Sequence, residues 1–214
     1  MYNNGYAMPS KNTVKKFVSG GVYHIYNRGV EKRSIFCDEQ DYRVFLHLLK
    51  TALSPEEKLD YIDTINVRNK SETLDILTYC LMSNHFHFLA KQLDETSMTD
   101  FMRSLSNAYV AYFNKKYKRV GSLFQGTYKA VLVDKDEYLV HLSRYIHMNP
   151  LEINQKLQEY PYSSYKYYLD DKSRPAWLKP ETILEQFKSP AGYKKFVEDH
   201  KIDSLKLLSG LTLE

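Results

Sequence analysis

Short stretches of alternating or continuously apolar residues recur along this chain and predict β-strands. The clearest are residues 22–26, 74–82, 85–90 and 128–133, each rich in β-branched or aromatic side chains and bounded by turn residues. Ser83 and Asn84 separate the second stretch from the third, which predicts a tight turn between two neighbouring strands.

Longer stretches with a helical spacing of apolar residues lie between these strands. Residues 39–53 predict a helix with Asp38 as its N-cap, and a second helix, with Thr99 or Ser97 as its N-cap, runs to about residue 117. A third helix, 135–148, follows Asp134 as its N-cap and ends at Asn149-Pro150. Because strands and helices alternate irregularly, with some short turns, the pattern predicts an α+β fold with a mainly antiparallel sheet.

The same pattern divides the chain into three parts. We predict an N-terminal arm at residues 1–17, a compact domain at 18–155, and an aromatic and helical C-terminal extension at 156–214. The extension has helical character around 180–187 and 192–199. Residues 56–72 are charged and mixed, and we interpret them as an insertion that holds a short strand near 61–67.

Composition narrows the class of protein. Hydrophobic residues make up 43% of the chain and charged residues 26%, which is typical of a globular protein. No apolar run approaches the roughly 18 to 20 residues that a membrane span needs, and residues 1–20 lack the apolar core of a secretory signal. The lack of such a run predicts no membrane partner. Cys37 and Cys80 form neither a disulfide framework nor a zinc-binding pair, which favours a reducing, cytoplasmic location.

Positive charge is concentrated in one part of the chain. Residues 101–150 contain eight Lys or Arg and three Asp or Glu, although the whole chain has a formal net charge of only +4. Aromatic residues are interleaved with these cations, a composition that suits single-stranded nucleic acid, because bases stack on rings while cations follow the phosphates. A solvated helix end and loop would give a similar charge run, and that interpretation stays open.

Two histidines carry the first sign of chemistry. In His85-Phe86-His87 a strand would direct both imidazoles to one face, about 6.5 to 7 Å apart at the backbone. That arrangement suits one divalent cation. Two ligands are an incomplete site, however, and an ordinary pair of strand histidines is the alternative.

The third predicted helix carries the second sign. His141, Tyr145 and Asn149 recur at intervals of four residues and form a polar stripe beside the apolar one. Tyr145 lies at the edge of the core, where its hydroxyl can face a cleft, and Asn149 can offer an amide oxygen to a metal. On spacing alone, Tyr145 is better explained as a core-margin tyrosine, and Asn149 is explained as a helix stop.

Five motifs together resemble one family. They are 23–29 (YHIYNRG), 80–87 (CLMSNHFH), 121–129 (GSLFQGTYK), 145–150 (YIHMNP) and 161–165 (PYSSY). In this combination they resemble the REP-associated branch of the single-tyrosine HUH transposases, which are IS200-like transposases. The resemblance covers roughly residues 18–170, most of the chain.

The resemblance implies a fold and a mechanism. The fold is a ferredoxin-like antiparallel sheet with helices packed over one face, forming the catalytic domain at residues 18–155. His85 and His87 match the family's histidine pair, Tyr145 its nucleophile and Asn149 its third metal ligand. Mg²⁺ or Mn²⁺ would be the expected cofactor, although two imidazoles also suit Zn²⁺. In the family, the tyrosine attacks a DNA phosphate and leaves a 5′-phosphotyrosine link and a free 3′-hydroxyl.

The partner implied is single-stranded or hairpin DNA, recognised with a flanking guide tetranucleotide. Relatives act as monomers or as homodimers in which the tyrosine serves the partner's histidine pair, so both states stay open. The candidate DNA contacts are the basic residues Arg28, Arg103, Lys115, Lys118, Arg119 and Lys129, with Phe124 and Gln125 as possible base contacts.

Other functions remain possible from the sequence. A domesticated protein on the same scaffold would bind DNA hairpins without turnover. A metal-dependent nuclease, or an RNA-binding module, would use Tyr145 only structurally. His141 and His147 have no assigned role: His147 is interpreted as a solvated helix residue, a DNA contact or a proton carrier. His24 is predicted to be structural.

Overall fold

A four-stranded antiparallel sheet forms the centre of the protein, in the spatial order β2-β3-β1-β4. The structure is a computed structural model that describes residues 17–54 and 67–199. The strands are β1 (Val22–Arg28), β2 (Leu74–Met82), β3 (His85–Gln92) and β4 (Lys129–Val133).

Helices lie between and after these strands and confirm the predicted α+β fold. The 3₁₀ turn Val30–Lys32 follows β1, and the 3₁₀ turn Asn149–Ile153 follows the helix that ends at Met148. The helices are α1 (Glu39–Leu53), α2 (Ser97–Lys116), α3 (Asp136–Met148), α4 (Tyr165–Leu169), α5 (Glu181–Leu184) and α6 (Pro190–Glu198).

Several predicted boundaries differ from those in the structure. The predicted cap of α1 is confirmed, because the side chain of Asp38 accepts from the backbone N–H of Asp41. The predicted caps of α2 are wrong: Asp94 Oδ1 accepts from the N–H groups of Thr96 and Ser97, each at 2.7 Å. The N-cap of α3 is Lys135, not Asp134. These local contacts depend on loop geometry that the apolar spacing does not contain.

The sheet is covered on both faces. Alternate residues of β1 and β3, such as Tyr23 and Phe88, pack against α1 and α2 in one apolar cluster. The residues between them, such as Tyr26 and Leu89, pack against α3 and the C-terminal helices in a second cluster. The expectation of helices over one face is therefore wrong, since the C-terminal segment adds a layer on the side of α3. We call that side the α3 face.

Parts of three predicted segments lie outside the described residues: the N-terminal arm, the insertion and the C-terminal extension, which is described only to residue 199. Of the N-terminal arm, only Phe17 is described, and it is buried edge-to-face against Tyr23, with ring centroids 4.8 Å apart. Most of the predicted insertion and its strand lie outside the described residues, and residues 67–72 form no strand. No helix in the described ranges is long and apolar enough to cross a membrane.

Part of the basic run at the end of α2 stabilises the fold. Lys116 Nζ donates to Asp38 and to Asp41, both at 2.7 Å, and thereby joins the C-terminal end of α2 to the N-terminal end of α1. The Asp41 carboxylate is fully buried and also accepts from the hydroxyls of Tyr112 and Tyr117. This lysine and these rings are therefore engaged within the protein.

A buried histidine joins the C-terminal segment to α3. His147 is fully buried, with Nδ1 2.7 Å from the hydroxyl of Tyr193 and Nε2 2.7 Å from Oγ of Ser164. Ser164 Oγ in turn accepts from the N–H of Tyr79 on β2. The interpretation of His147 as a solvated residue is wrong, because the C-terminal segment covers this side of the helix.

The burial of His147 predicts a pH dependence of stability. Burial lowers the pKa of His147 to about 3, whereas an unfolded chain has a histidine pKa near 6.5. Between these two values the unfolded chain binds a proton that the folded protein does not. Stability is therefore highest above about pH 6.5 and falls as the pH drops from about 6.5 towards 3. We expect the free energy of unfolding, measured by urea denaturation, to fall over this range.

The matched variant is His147→Gln, which keeps polar contacts but cannot titrate. It should be less stable than the wild type at pH 7 and should show a smaller loss of stability between pH 6.5 and 4. Equal pH slopes in the two proteins would contradict the prediction.

Candidate functional site

The pairing of β1 with β3 places four polar side chains together on the α3 face. In this antiparallel register Tyr26 lies opposite His87, and Arg28 lies opposite His85. Since alternate residues of a strand share a face, His24 joins the same row of β1. The predicted histidine pair thus lies in the middle of the sheet with aromatic and basic neighbours.

Helix α3 brings the other predicted residues to this face. The ring of Tyr145 is half-buried, with its centroid 5.6 Å from that of His87 and 6.2 Å from that of His24. One turn later, Asn149 Oδ1 lies 3.2 Å from His85 Nε2. A single chain therefore brings together all four residues to which the family resemblance gave chemical roles.

Two amide groups are oriented so that their oxygens face His85. Asn149 Nδ2 donates to the carbonyls of Tyr145 and Ile146, at 2.9 and 3.3 Å, which leaves Oδ1 directed at the ring. Asn84 Nδ2 donates to the carbonyl of Lys32 at 3.3 Å, and Asn84 Oδ1 lies 2.6 Å from His85 Nδ1. Both ring nitrogens of His85 therefore meet an acceptor oxygen.

A neutral His85 cannot donate a hydrogen bond to both amide oxygens. Burial lowers the pKa of His85, and the charge of Arg28 lowers it further, while the contact with Asn149 opposes them. A neutral imidazole carries one N–H, so it satisfies only one of the two amide oxygens. If Nδ1–H donates to Asn84 at the shorter distance, two lone pairs face each other between Nε2 and Asn149 Oδ1. A cation between them would remove that conflict.

His87 has a ring nitrogen that no described residue satisfies. It is fully buried, and its Nδ1 lies 2.9 Å from His24 Nε2, with the two rings stacked. Its Nε2 has no hydrogen-bond partner among the described residues. Burial holds the pKa of His87 well below its usual value, with further lowering by His24, His85 and Arg28. A neutral imidazole with a buried, unpartnered nitrogen is the state in which histidine binds metals.

These donors fit a divalent cation. The described residues contain no group of three or more His, Cys, Asp or Glu arranged to hold a metal ion. The set present is instead two imidazole nitrogens and an amide oxygen, which suits Mg²⁺ or Mn²⁺ with further positions for phosphate and water. Zn²⁺ is compatible with the two imidazoles.

His24 belongs to the site although the sequence analysis treated it as structural. It is fully buried, stacks on His87 and lies edge-to-face with Tyr145. Two signals could have found it: its alternation with Tyr26 on the first strand, and its place in the YHIYNRG motif. Neither signal shows that β1 pairs with β3, and only this pairing places His24 beside His87.

The candidate DNA contacts fall into two groups. Arg28 and Lys129 lie on the α3 face, because Arg28 is opposite His85 and Lys129 is opposite Tyr26. The others belong to α2 and the segment that follows it. Arg103 pairs with Asp100 at 2.7 Å, and Arg119 lies over the ring of Phe113. Lys115 and Lys118 are exposed.

The two candidate base contacts differ from each other. Phe124 is only 6% exposed and packs edge-to-face on Phe86, so its ring belongs to the core in this structure. Gln125 has an exposed side chain, and its N–H donates to the carbonyl of Arg28 at 2.8 Å. The loop that carries both residues is therefore joined to the end of β1, beside the histidine pair.

His141, the remaining member of the polar stripe, faces away from the histidine pair. Its Nδ1 accepts from Arg144 at 2.9 Å, and its ring packs on Phe196 of α6. The stripe is thus divided between two environments, with Tyr145 and Asn149 at the candidate site and His141 against the C-terminal layer.

Comparison with known protein families identifies the family of this chain. The family model described as "Transposase IS200 like" matches residues 18–149, more than half of the chain. The chain therefore belongs to the IS200-like transposase family. The match includes the histidine pair, Tyr145 and Asn149.

One solved structure supports the same fold. The chain is similar to a REP-associated tyrosine transposase bound to a REP hairpin, with a TM-score of 0.53 and 14% identity over 72% of this chain and 82% of that one. A tRNA(His) guanylyltransferase from Saccharomyces cerevisiae matches 91% of this chain and 78% of its own, with 12% identity and a TM-score of 0.41, too low to carry an argument. No curated protein matches the chain.

Proposed function

We propose that this transposase cleaves and rejoins single-stranded DNA through a covalent 5′-phosphotyrosine intermediate on Tyr145. One observation carries the proposal: a single helix, α3, presents Tyr145 to His87 and Asn149 to His85, with separations of 5.6 Å between ring centroids and 3.2 Å between Oδ1 and Nε2. A nucleophile and a candidate metal ligand thereby face the histidine pair together.

The proposed step balances without a nucleotide cofactor. The Tyr145 oxygen forms a bond to phosphorus, the bond from phosphorus to the 3′-oxygen breaks, and the proton lost by the phenol is replaced on the leaving 3′-oxygen. One phosphodiester is exchanged for another, so the reverse attack by a 3′-hydroxyl can rejoin DNA. A phenol with a pKa near 10 is a weak nucleophile at neutral pH, and it needs a base or a nearby cation.

His85, His87 and Asn149 would hold the divalent cation, Mg²⁺ or Mn²⁺. Such an ion, when bound, polarises the phosphate oxygens and favours in-line attack. The chain's own contribution is to keep both imidazoles neutral by burial and to fix their orientation. Asn84 orients His85, and His24 orients His87, as second partners of histidine ligands commonly do.

Hairpin DNA is the proposed partner. The similar solved structure is of a protein bound to a REP hairpin, and the family resemblance implies the same kind of target. The proposed contacts are Arg28 and Lys129 beside the site, together with Arg103, Lys115, Lys118, Arg119 and Gln125. If these cations bind phosphates, affinity for DNA should fall steeply with salt concentration.

Covalent trapping tests the nucleophile. We expect the wild type, incubated with labelled single-stranded hairpin oligonucleotides and Mn²⁺, to give a shifted band on a denaturing gel. Tyr145→Phe removes the attacking oxygen and should abolish the adduct, while His85→Ala removes a metal ligand and should lower its yield by at least about 100-fold. Tyr138→Phe, on the same helix, is the matched control and should behave like the wild type.

Other results would identify the alternatives. Metal-dependent cleavage that survives Tyr145→Phe, without an adduct, would indicate a water-using nuclease. Tight hairpin binding with neither cleavage nor adduct would indicate a domesticated binding protein. Either outcome would contradict the proposed mechanism.

The contact between His24 and His87 predicts an effect on metal affinity. When Nε2 of a neutral imidazole binds a metal, Nδ1 carries the proton and needs an acceptor. His24 Nε2, at 2.9 Å, is that acceptor. His24→Phe keeps a ring but removes the acceptor, so Mn²⁺ affinity measured by calorimetry should fall by about 10- to 100-fold.

Two further variants interpret that measurement. His24→Gln restores an acceptor oxygen and should recover part of the affinity. His47→Phe alters a histidine on α1, away from the site, and should leave affinity unchanged. Equal Mn²⁺ affinity in His24→Phe and wild type would show that His24 does not support the metal ligand.

A further inference from the structure

Three buried polar atoms of the candidate site have no hydrogen-bond partner among the described residues. They are His87 Nε2, Tyr26 Oη and Arg28 Nε. All three belong to β1 and β3 on the α3 face, where Tyr26 is opposite His87 and Arg28 is adjacent in the same row as Tyr26. Buried polar groups are nearly always paired, and leaving one unpaired costs about 1 to 3 kcal/mol. Three in one place point to a ligand.

The three atoms call for two different ligands, a cation and an anion. In the tautomer whose Nδ1–H donates to His24, His87 Nε2 offers a lone pair, which suits the cation already considered. Arg28 Nε–H and the Tyr26 hydroxyl are donors, so they need an acceptor. The Tyr26 side chain is only 4% exposed, and a phenol, with its usual pKa near 10, keeps its proton at neutral pH. An acceptor beside a cation site, facing an arginine and a neutral phenol, is an oxyanion.

Charge on this face agrees with an anion. Neither Arg28 nor Lys129 forms an ion pair with the described residues, and Lys129 lies opposite Tyr26 on β4. The four strands contain one acidic residue, Asp75, which is opposite Lys91 at the other end of the sheet. The guanidinium of Arg28 is close enough to lower the pKa of both His85 and His87. Positive charge here is thus not neutralised by a neighbouring carboxylate.

The backbone holds Arg28 in this place. Gly29 N–H donates to the carbonyl of Asn84 at 2.9 Å, and Gln125 N–H donates to the carbonyl of Arg28 at 2.8 Å. A Cβ at Gly29 would collide with the carbonyl of Arg33, so this close approach of the backbone requires glycine. The arginine is therefore fixed at its backbone between the two segments that flank the site.

We propose that Tyr26 and Arg28 form an anion pocket that binds the non-bridging oxygens of the phosphate attacked by Tyr145. This inference rests on the proposed function and adds two groups that touch the reacting phosphate. As the Tyr145 oxygen approaches phosphorus, Arg28 stabilises the negative charge on these oxygens. The Tyr26 hydroxyl is already buried, so it donates to them without first giving up hydrogen bonds to water. The third unpartnered atom, His87 Nε2, remains for the cation.

Single-turnover adduct formation tests the pocket. With Mn²⁺ and a saturating hairpin substrate, Tyr26→Phe and Arg28→Gln should slow the adduct step by about 10- to 1,000-fold, as removal of one oxyanion donor does elsewhere. Because the pocket acts on one phosphate, hairpin affinity should change far less than the rate. Tyr23→Phe, a buried tyrosine on the opposite face of β1, and Arg43→Gln, an exposed arginine on α1, are the matched controls. Thermal melts check that each variant is folded.

A modified substrate separates a direct contact from a structural effect. A methylphosphonate at the scissile position replaces one charged oxygen by a methyl group. This substrate should slow the wild type strongly, because Arg28 then has less charge to stabilise. It should slow Arg28→Gln much less, because that variant has already lost the contact. An equal slowing in both proteins, or unchanged rates for both variants on the natural substrate, would overturn the proposal.

Titration with inorganic phosphate tests the anion pocket independently of the proposed function. The arginine Nε–H signal of Arg28, assigned by its loss in Arg28→Gln, should shift on titration of phosphate into the metal-free protein and shift less in Tyr26→Phe. A wild type that forms no adduct but shows this shift would refute the function and retain the anion pocket. No adduct and no shift would refute both.

Discussion

The antiparallel pairing of β1 with β3 is the constraint on which the site depends. It sets His87 against Tyr26 and His85 against Arg28, and it directs all four side chains to the α3 face. A slip of one residue would turn the histidines toward α1 and α2 and bring Phe86 and Phe88 to the site. Those two rings pack with Phe45 in the opposite cluster, so the apolar core on one face fixes the chemistry on the other.

The second requirement is the position of α3 along the sheet. Its apolar residues Leu139, Leu142 and Ile146 pack on the α3 face, while His147 contacts Tyr193 and Ser164 in the C-terminal layer. Tyr145 and Asn149 thus belong to a helix that is held from both sides. Because a buried hydrogen-bonded network has few alternative arrangements, this layer fixes the helix more narrowly than apolar packing alone would. The C-terminal residues up to 199, where the described chain ends, contribute to the geometry of the site without supplying a side chain to it.

The sequence predicted the elements well because their signals are local. The apolar spacing of 39–53, the continuous apolar stretch 74–82 and the Ser83-Asn84 turn each appear as predicted. Coverage of both faces was missed because the C-terminal helices are short and mark no face by their spacing. The role of His147 was missed for the same reason: its partners are 17 and 46 residues away in the chain. The positions of His85, His87, Tyr145 and Asn149 came from the motifs, and spacing alone left each of them with an ordinary structural explanation.

The energetics of the site bear on whether it is maintained for chemistry. A fold gains nothing from a buried imidazole nitrogen, a buried phenol and a buried guanidinium nitrogen that find no partner in residues 17–54 and 67–199, since each lowers stability. A protein that only recognised a hairpin would need cations at its surface, such as Lys115 and Lys118, but no unpartnered lone pair beneath a helix. A neutral His85 also faces two amide oxygens, of Asn84 and Asn149, with only one N–H to donate. Such costs are typical of sites that a cation and an anion complete, and they favour an enzyme over a binding protein on this scaffold.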